Sequence, residues 1–154
     1  MPVVLLVEDG PYEELPRTLI LRRARAMLAA VQSSDKEWSL VFTGDDQIQN
    51  LNRIYRKKNR PTDVLAFSQQ EGEHGARGGR LLGDVIVSVP TARRQAAAAR
   101  KEVLAEVTML MAHGLLHLLG WDHATAAEDR AMRRETARLC AAASPARPPP
   151  ERAR

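Results

Sequence analysis

Three of the chain's four histidines fall in one short stretch, His113-Gly114-Leu115-Leu116-His117-Leu118-Leu119-Gly120-Trp121-Asp122-His123, and this spacing leaves few folds open. On an α-helix, residues four apart share a face about 6 Å from one another, so His113 and His117 can aim both imidazoles at one point. Gly120 permits the left-handed backbone that ends a helix and swings the chain back, after which His123 can close the set. The fold must therefore present the C-terminal end of a helix where a small ligand can reach it. A lone histidine on an apolar helix reads as a core or surface residue; three at this spacing read as a metal site. Three neutral imidazoles leave the fourth tetrahedral position of Zn²⁺ open, which suits hydrolysis and not a closed structural site.

The same spacing occurs in the metzincin metalloproteases, whose motif is H-E-x-x-H-x-x-G-x-x-H. Here Gly114 stands where such an enzyme needs a glutamate as general base. Glu106 lies on roughly the same helical face but about 10 Å from His113 along the axis, which makes it a supporting or surface carboxylate. Peptide hydrolysis is therefore the second reading.

The 154 residues suffice for one domain, which typically holds roughly 100 to 150. Residues 3–7 read as a buried strand, 15–31 as a helix with Pro16 in its first turn, and 38–42 as a second strand. Thr43, with Asp46 three residues on, resembles a helix cap leading a short helix to Tyr55. Residues 56–61 form a basic connector ended by Pro61, 64–67 a third strand, 69–80 a mobile loop and 81–89 a fourth strand. Pro90 and Thr91 then open one long helix over 92–118, and 125–143 forms the last helix. The expected fold class is α+β: a single domain over 1–144, with a small mixed sheet of about four strands packed against helices, one of them a metzincin-like metal-binding helix. The Pro-rich tail, 145–154, is expected to be disordered.

Composition narrows the function. Cys140 is the single cysteine, so a disulfide framework and Cys-rich zinc modules are excluded, and a reducing, cytoplasmic setting is expected. The apolar N-terminal run is too short for a signal peptide, and no stretch approaches the ~20 apolar residues of a membrane span. A net charge of +4 and a pI near 9.7 suit a polyanionic partner such as nucleic acid. Aromatics are only 4% of the chain, which argues against an extended base-stacking sheet.

Three blocks resemble the YbeY-type endoribonucleases, which act in ribosomal RNA maturation. The first is the histidine block itself, matching HGxLHLxGYDH with Trp121 for the usual Tyr. The second is Leu51-Asn52-x-x-Tyr55-Arg56-x-Lys58-Asn59-x-Pro61-Thr62-Asp63-Val64-Leu65-Ala66-Phe67, similar to LNxxYRxKDxPTDVLSF with Asn59 for Asp and Ala66 for Ser. The third is Leu82-Gly83-Asp84-Val85-Ile86-Val87-Ser88, similar to LGDIxIS. The resemblance implies one Zn²⁺ per chain held by His113, His117 and His123, cleavage of single-stranded RNA including small-subunit ribosomal RNA, a part in ribosome quality control, and ribosomal or ribosome-assembly proteins as partners. It also implies a required arginine, which maps to Arg56. A guanidinium forks onto phosphate oxygens and keeps its charge, so Arg56 can hold the scissile phosphate or stabilise its transition state.

Arg53, Lys57, Lys58 and Arg60 could track an RNA backbone, or be a solvated charged surface. Asp122 either orients an imidazole from outside the ligand set or caps the following turn. Asp63 and Asp84 read as turn or ladder hydrogen-bonding residues, His74 as a surface residue, Met109, Met111 and Met132 as core, and Cys140 as a small buried hydrophobe. Besides the metallohydrolase alternative, a non-enzymatic, zinc-stabilised ribosome- or RNA-binding module remains open.

Overall fold

The computed structural model describes residues 3–69 and 79–144. His74, the tail 145–154 and most of the 69–80 loop lie outside the described residues. The elements run β1 (Val3–Val7), α1 (Arg17–Ala30), β2 (Glu37–Thr43), α2 (Asp45–Arg56), β3 (Val64–Ser68), β4 (Leu81–Ser88), α3 (Val89–Ala99), α4 (Val103–Leu118) and α5 (Ala126–Ala143). The expected α+β class and the four-stranded mixed sheet are both found. Its order is β1-β2-β4-β3, with β1/β2 and β2/β4 parallel and β3/β4 antiparallel, which leaves β3 on an open edge.

Alternation along the strands sorts the side chains to two faces. Val3, Leu5, Trp38, Leu40, Phe42, Val85 and Val87 meet the helical layer of α1, α4 and α5, while Ile86 and Leu65 meet Ile48 of α2 on the other side. Helix α4 is apolar nearly all round, and Val107, Leu110, Met111, Ala112, Leu115, Leu116 and Leu118 are all buried. Each such Leu or Met gains about 1.5–3 kcal/mol over an exposed one, so the helix that carries His113 and His117 is firmly seated.

Two local expectations are corrected. The single helix over 92–118 is two helices, because Arg100 takes the left-handed conformation (φ 54°) and caps α3. The turn is closed by Lys101 Nζ on Glu106 Oε1 at 3.0 Å, which accounts for Glu106 as a buried structural carboxylate. Thr43 does not cap α2: Gly44 holds that position, Asp45 and Asp46 meet the helix dipole, and Thr43 is buried with its hydroxyl donating to Glu8. A free-standing cap was the local reading; burial of the β2 end overrides it.

Candidate metal centre and its basic cleft

Helix α4 stops where the glycine spacing says it should. Gly120 has φ 92°, its N–H donates to the His117 carbonyl at 3.0 Å, and the Trp121 N–H donates to the Leu116 carbonyl at 3.0 Å. This paired closure satisfies the last carbonyls and turns the chain back over the helix end. His113, His117 and His123 are thereby gathered, with candidate ligand atoms all within 4.8 Å of one another. The Nε2 atoms of His113 and His117 lie 3.0 Å apart. Two nitrogens on one tetrahedral zinc would be about 3.3 Å apart for bonds of ~2.05 Å, so the pair needs only a small adjustment to share an ion.

The electrostatics favour the same use. Burial lowers the His113 pKa, and the neighbouring His117 and His123 lower it further against the opposing charges of Asp63 and Asp129. His117 is lowered by burial and by His123, while a hydrogen bond with the Trp121 backbone and the charge of Asp122 oppose the shift. Both imidazoles are thus biased towards the neutral form that coordinates metal.

Gly114 has a packing reason. A Cβ there would stand 2.6 Å from Val85 Cγ1 and 2.9 Å from Cγ2, so α4 rests directly on β4 at this point. A glutamate in the metalloprotease position has no room without displacing the helix from the sheet.

The triad lines a cleft of about 1030 Å³ that runs along β3, one of the two edge strands of the sheet. The same cleft is lined by Arg56, Lys58 and Arg60, with Asp63, Phe67 and Trp121 also in the wall. Arg56 is the last residue of α2; it donates to the Ala66 carbonyl at 2.7 Å and its guanidinium lies 5.1 Å from the Phe67 ring centroid. Its charge also acts on His117, lowering that pKa. Arg53 and Lys57 are exposed but are not among the residues lining the cleft; Arg53 donates to Asn50, and Lys57 is the left-handed cap of α2 (φ 58°). Asp122 accepts the His123 backbone N–H at 2.7 Å and so braces the turn that carries the third imidazole.

Asn52, to which the sequence alone gives no role, and Asp63, expected as a turn residue, both help to build the cleft. Asn52 is buried and its Nδ2 donates to the Arg60 carbonyl at 2.9 Å, which pins the basic connector against α2. The signal was present as an amide among apolar helix positions, but its partner lies eight residues away. Asp63 accepts the Val64 N–H and a Gln95 amide, and its carboxylate stands in the cleft wall. Met111 and Met132 are core, whereas Cys140 is only half-buried, lining a second cavity of about 450 Å³ between α4 and α5; burial pushes its thiol pKa up, which makes it a poor nucleophile.

Residues 12–144 match the family described as Endoribonuclease YbeY. A curated protein of that name from Anaeromyxobacter sp. (strain Fw109-5) is 47% identical over 139 residues, covering 90% of this chain and 71% of that one. Another, from Pelotomaculum thermopropionicum, is 41% identical over 140 residues and covers 88% and 92%. The solution structure of TM1509 from Thermotoga maritima superposes with a TM-score of 0.61 at 20% identity, covering 91% of this chain and 89% of that one, and supports the fold. With the family match extending over nearly all of the described residues, and relatives this similar over most of its length, the chain belongs to the endoribonuclease YbeY family.

Proposed function

We propose that the chain is a zinc-dependent endoribonuclease that cuts single-stranded RNA, acting in small-subunit ribosomal RNA maturation and ribosome quality control. It works as a single domain over residues 1–144 in the cytoplasm, with ribosomal or ribosome-assembly proteins as partners. Among the described residues no helix is long and apolar enough to cross a membrane. The observation that carries the reading is the juxtaposition, in one cleft, of three imidazoles gathered for one ion and the cations Arg56, Lys58 and Arg60.

The donor set of three imidazoles with an open side fits Zn²⁺, with His113, His117 and His123 as its holders. When bound, such an ion supplies Lewis acidity for hydrolysis. The chain supplies the rest. Arg56 uses one N–H on the Ala66 carbonyl and lies against Phe67, so its fork is fixed while further donors remain for a phosphodiester. Held beside His117, it neutralises charge developing on the phosphoryl oxygens. Lys58 and Arg60 hold the flanking phosphates, while Arg53 and Lys57 extend the basic surface outside the cleft. Asp122 keeps His123 in place through its backbone. A metallopeptidase role is disfavoured by Gly114, whose site against Val85 leaves no space for a general base.

The test is cleavage of an end-labelled single-stranded RNA by zinc-loaded wild type beside His117→Ala, purified identically. We expect cutting only by the wild type, loss of stoichiometric zinc in the variant, and an unchanged circular dichroism spectrum, because the core is apolar and independent of the ion. Unfolding on zinc removal would instead support a zinc-stabilised binding module.

A further inference from the structure

The chain has only two Trp, two Tyr and two Phe. Tyr12, Trp38 and Phe42 are buried in the core. Phe67 and Trp121 line the cleft, and Tyr55 packs edge-on against Phe67 at 5.3 Å. Half of a scarce residue class therefore gathers at one site. The three are not equivalent. Phe67 has the Arg56 guanidinium over its ring, and Tyr55 is exposed but is not among the lining residues. Trp121 keeps 37% of its surface exposed in the cleft wall, although its backbone is held by the helix closure and by contact with His117. A large indole left open beside a candidate metal centre, on a hydrogen-bonded turn, offers a flat apolar face to a planar ligand in the cleft.

We infer that Trp121 is a base-stacking residue: its indole takes the face of one unpaired nucleobase next to the phosphodiester held by Arg56. This rests on the RNA reading above and deepens it. Phosphate contacts from Arg56, Lys58 and Arg60 position the strand but do not by themselves select an unpaired one, because a duplex presents phosphates too, and at higher charge density. A stacking contact can, since a paired base has its faces covered by neighbours in the helix and must be unstacked before an indole reaches it. Trp121 is thus where the cleft chooses unpaired RNA, and it accepts any base because every base has a π-face.

The arrangement provides its own reporter. Trp38 is fully buried, so a ligand in the cleft acts on the fluorescence of Trp121 alone. The experiment titrates the zinc-loaded protein with a short, nuclease-resistant 2′-O-methyl oligonucleotide and with an abasic oligonucleotide of the same length and charge, following indole fluorescence and, in parallel, the anisotropy of a fluorescein end label. The base-bearing strand is expected to quench the indole and the abasic strand to leave it unchanged. Trp121→Ala is expected to weaken the base-bearing strand about tenfold or more while binding the abasic strand as the wild type does, and Trp121→Phe to restore most of the loss. If Trp121→Ala binds the base-bearing strand as tightly as the wild type and no quenching accompanies binding, stacking is refuted while the RNA reading stands. If the wild type binds neither strand, both readings fall.

Discussion

Gly114→Ala adds one methyl group to a helix, a change that intrinsic propensity favours by about 1 kcal/mol. The structure predicts the opposite sign. The new Cβ would lie 2.6 Å and 2.9 Å from the two γ-methyls of Val85, both inside the separation that carbon atoms tolerate. Val85 is fully buried on β4 and β-branched, so no alternative rotamer clears the space at low cost. Helix α4 must then lift from the sheet, and overpacking of this kind costs about 1–3 kcal/mol. Set against the propensity gain, the net destabilisation is about 0–2 kcal/mol, or a fall in Tm of up to roughly 8 °C for a chain of this length. Because residue 114 sits between the two helical histidines, activity should fall by more than stability explains. Urea unfolding, calorimetry and zinc titration of Gly114→Ala, Val85→Ala and the double variant measure this. Removing the γ-methyls should relieve the clash, so the double variant should lose less than the two single losses combined, by about 1 kcal/mol. A Gly114→Ala protein more stable than the wild type, with unaltered zinc affinity, would refute the reasoning.

Two further perturbations test what holds the cleft. Burial raises the Asp45 pKa, but hydrogen bonds from Ser88 and Thr91, each at 2.6 Å, and from Arg94 at 2.8 Å outweigh it, so the carboxyl titrates below its ordinary range. A depressed folded pKa means stability present above the unfolded value of about 3.9 and lost as pH falls through the folded one. Asp45→Asn should cost about 1–3 kcal/mol in urea unfolding at pH 7, a gap that narrows below about pH 4; an unchanged gap at pH 3 would count against the ionic account. Asn52→Ala should cost about 1–3 kcal/mol and, by freeing the connector that carries Lys58 and Arg60, raise the KM for RNA more than it lowers kcat. An unaltered KM would show that the connector is held by other contacts.

What could be read from the residues follows from the range of each interaction. The four strands were legible because each is an apolar run between turn signals, and the histidine triad because helical spacing and a glycine stop act within eleven residues. The break at Arg100 was not legible: a left-handed Arg closes α3 without a Gly or Pro to mark it. The order β1-β2-β4-β3 was hidden for a related reason, since it places β2 beside β4 and so depends on layer packing and not on neighbours in the chain. Asp63 shows the limit at a single residue. Its link to Val64 is the kind a turn predicts, but its bond from Gln95 spans 32 positions and its place in the cleft wall requires the assembled sheet.

The two walls of the cleft come from segments about sixty residues apart, and β3 is what joins them. Three consecutive residues of this edge strand take contacts from both sides: the Ala66 carbonyl accepts from Arg56, the Phe67 ring lies beneath the same guanidinium, and the Ser68 hydroxyl donates to the Leu118 carbonyl at the end of α4, at 3.3 Å. An edge strand ordinarily leaves its backbone groups open to another chain. Here part of that edge is used internally, to fix the distance between the cation that would meet the phosphate and the helix end that would hold the metal. Catalysis by positioning loses much of its effect with displacements near 1 Å, so this distance matters more to the chemistry than to the stability of the fold. Antiparallel pairing of β3 with β4 ties it in turn to Val85, the strand residue on which Gly114 rests. The arginine, the histidines and the glycine between them are therefore referenced to one pair of strands, and a shift of register there would move the cationic and the histidine sides of the cleft at once.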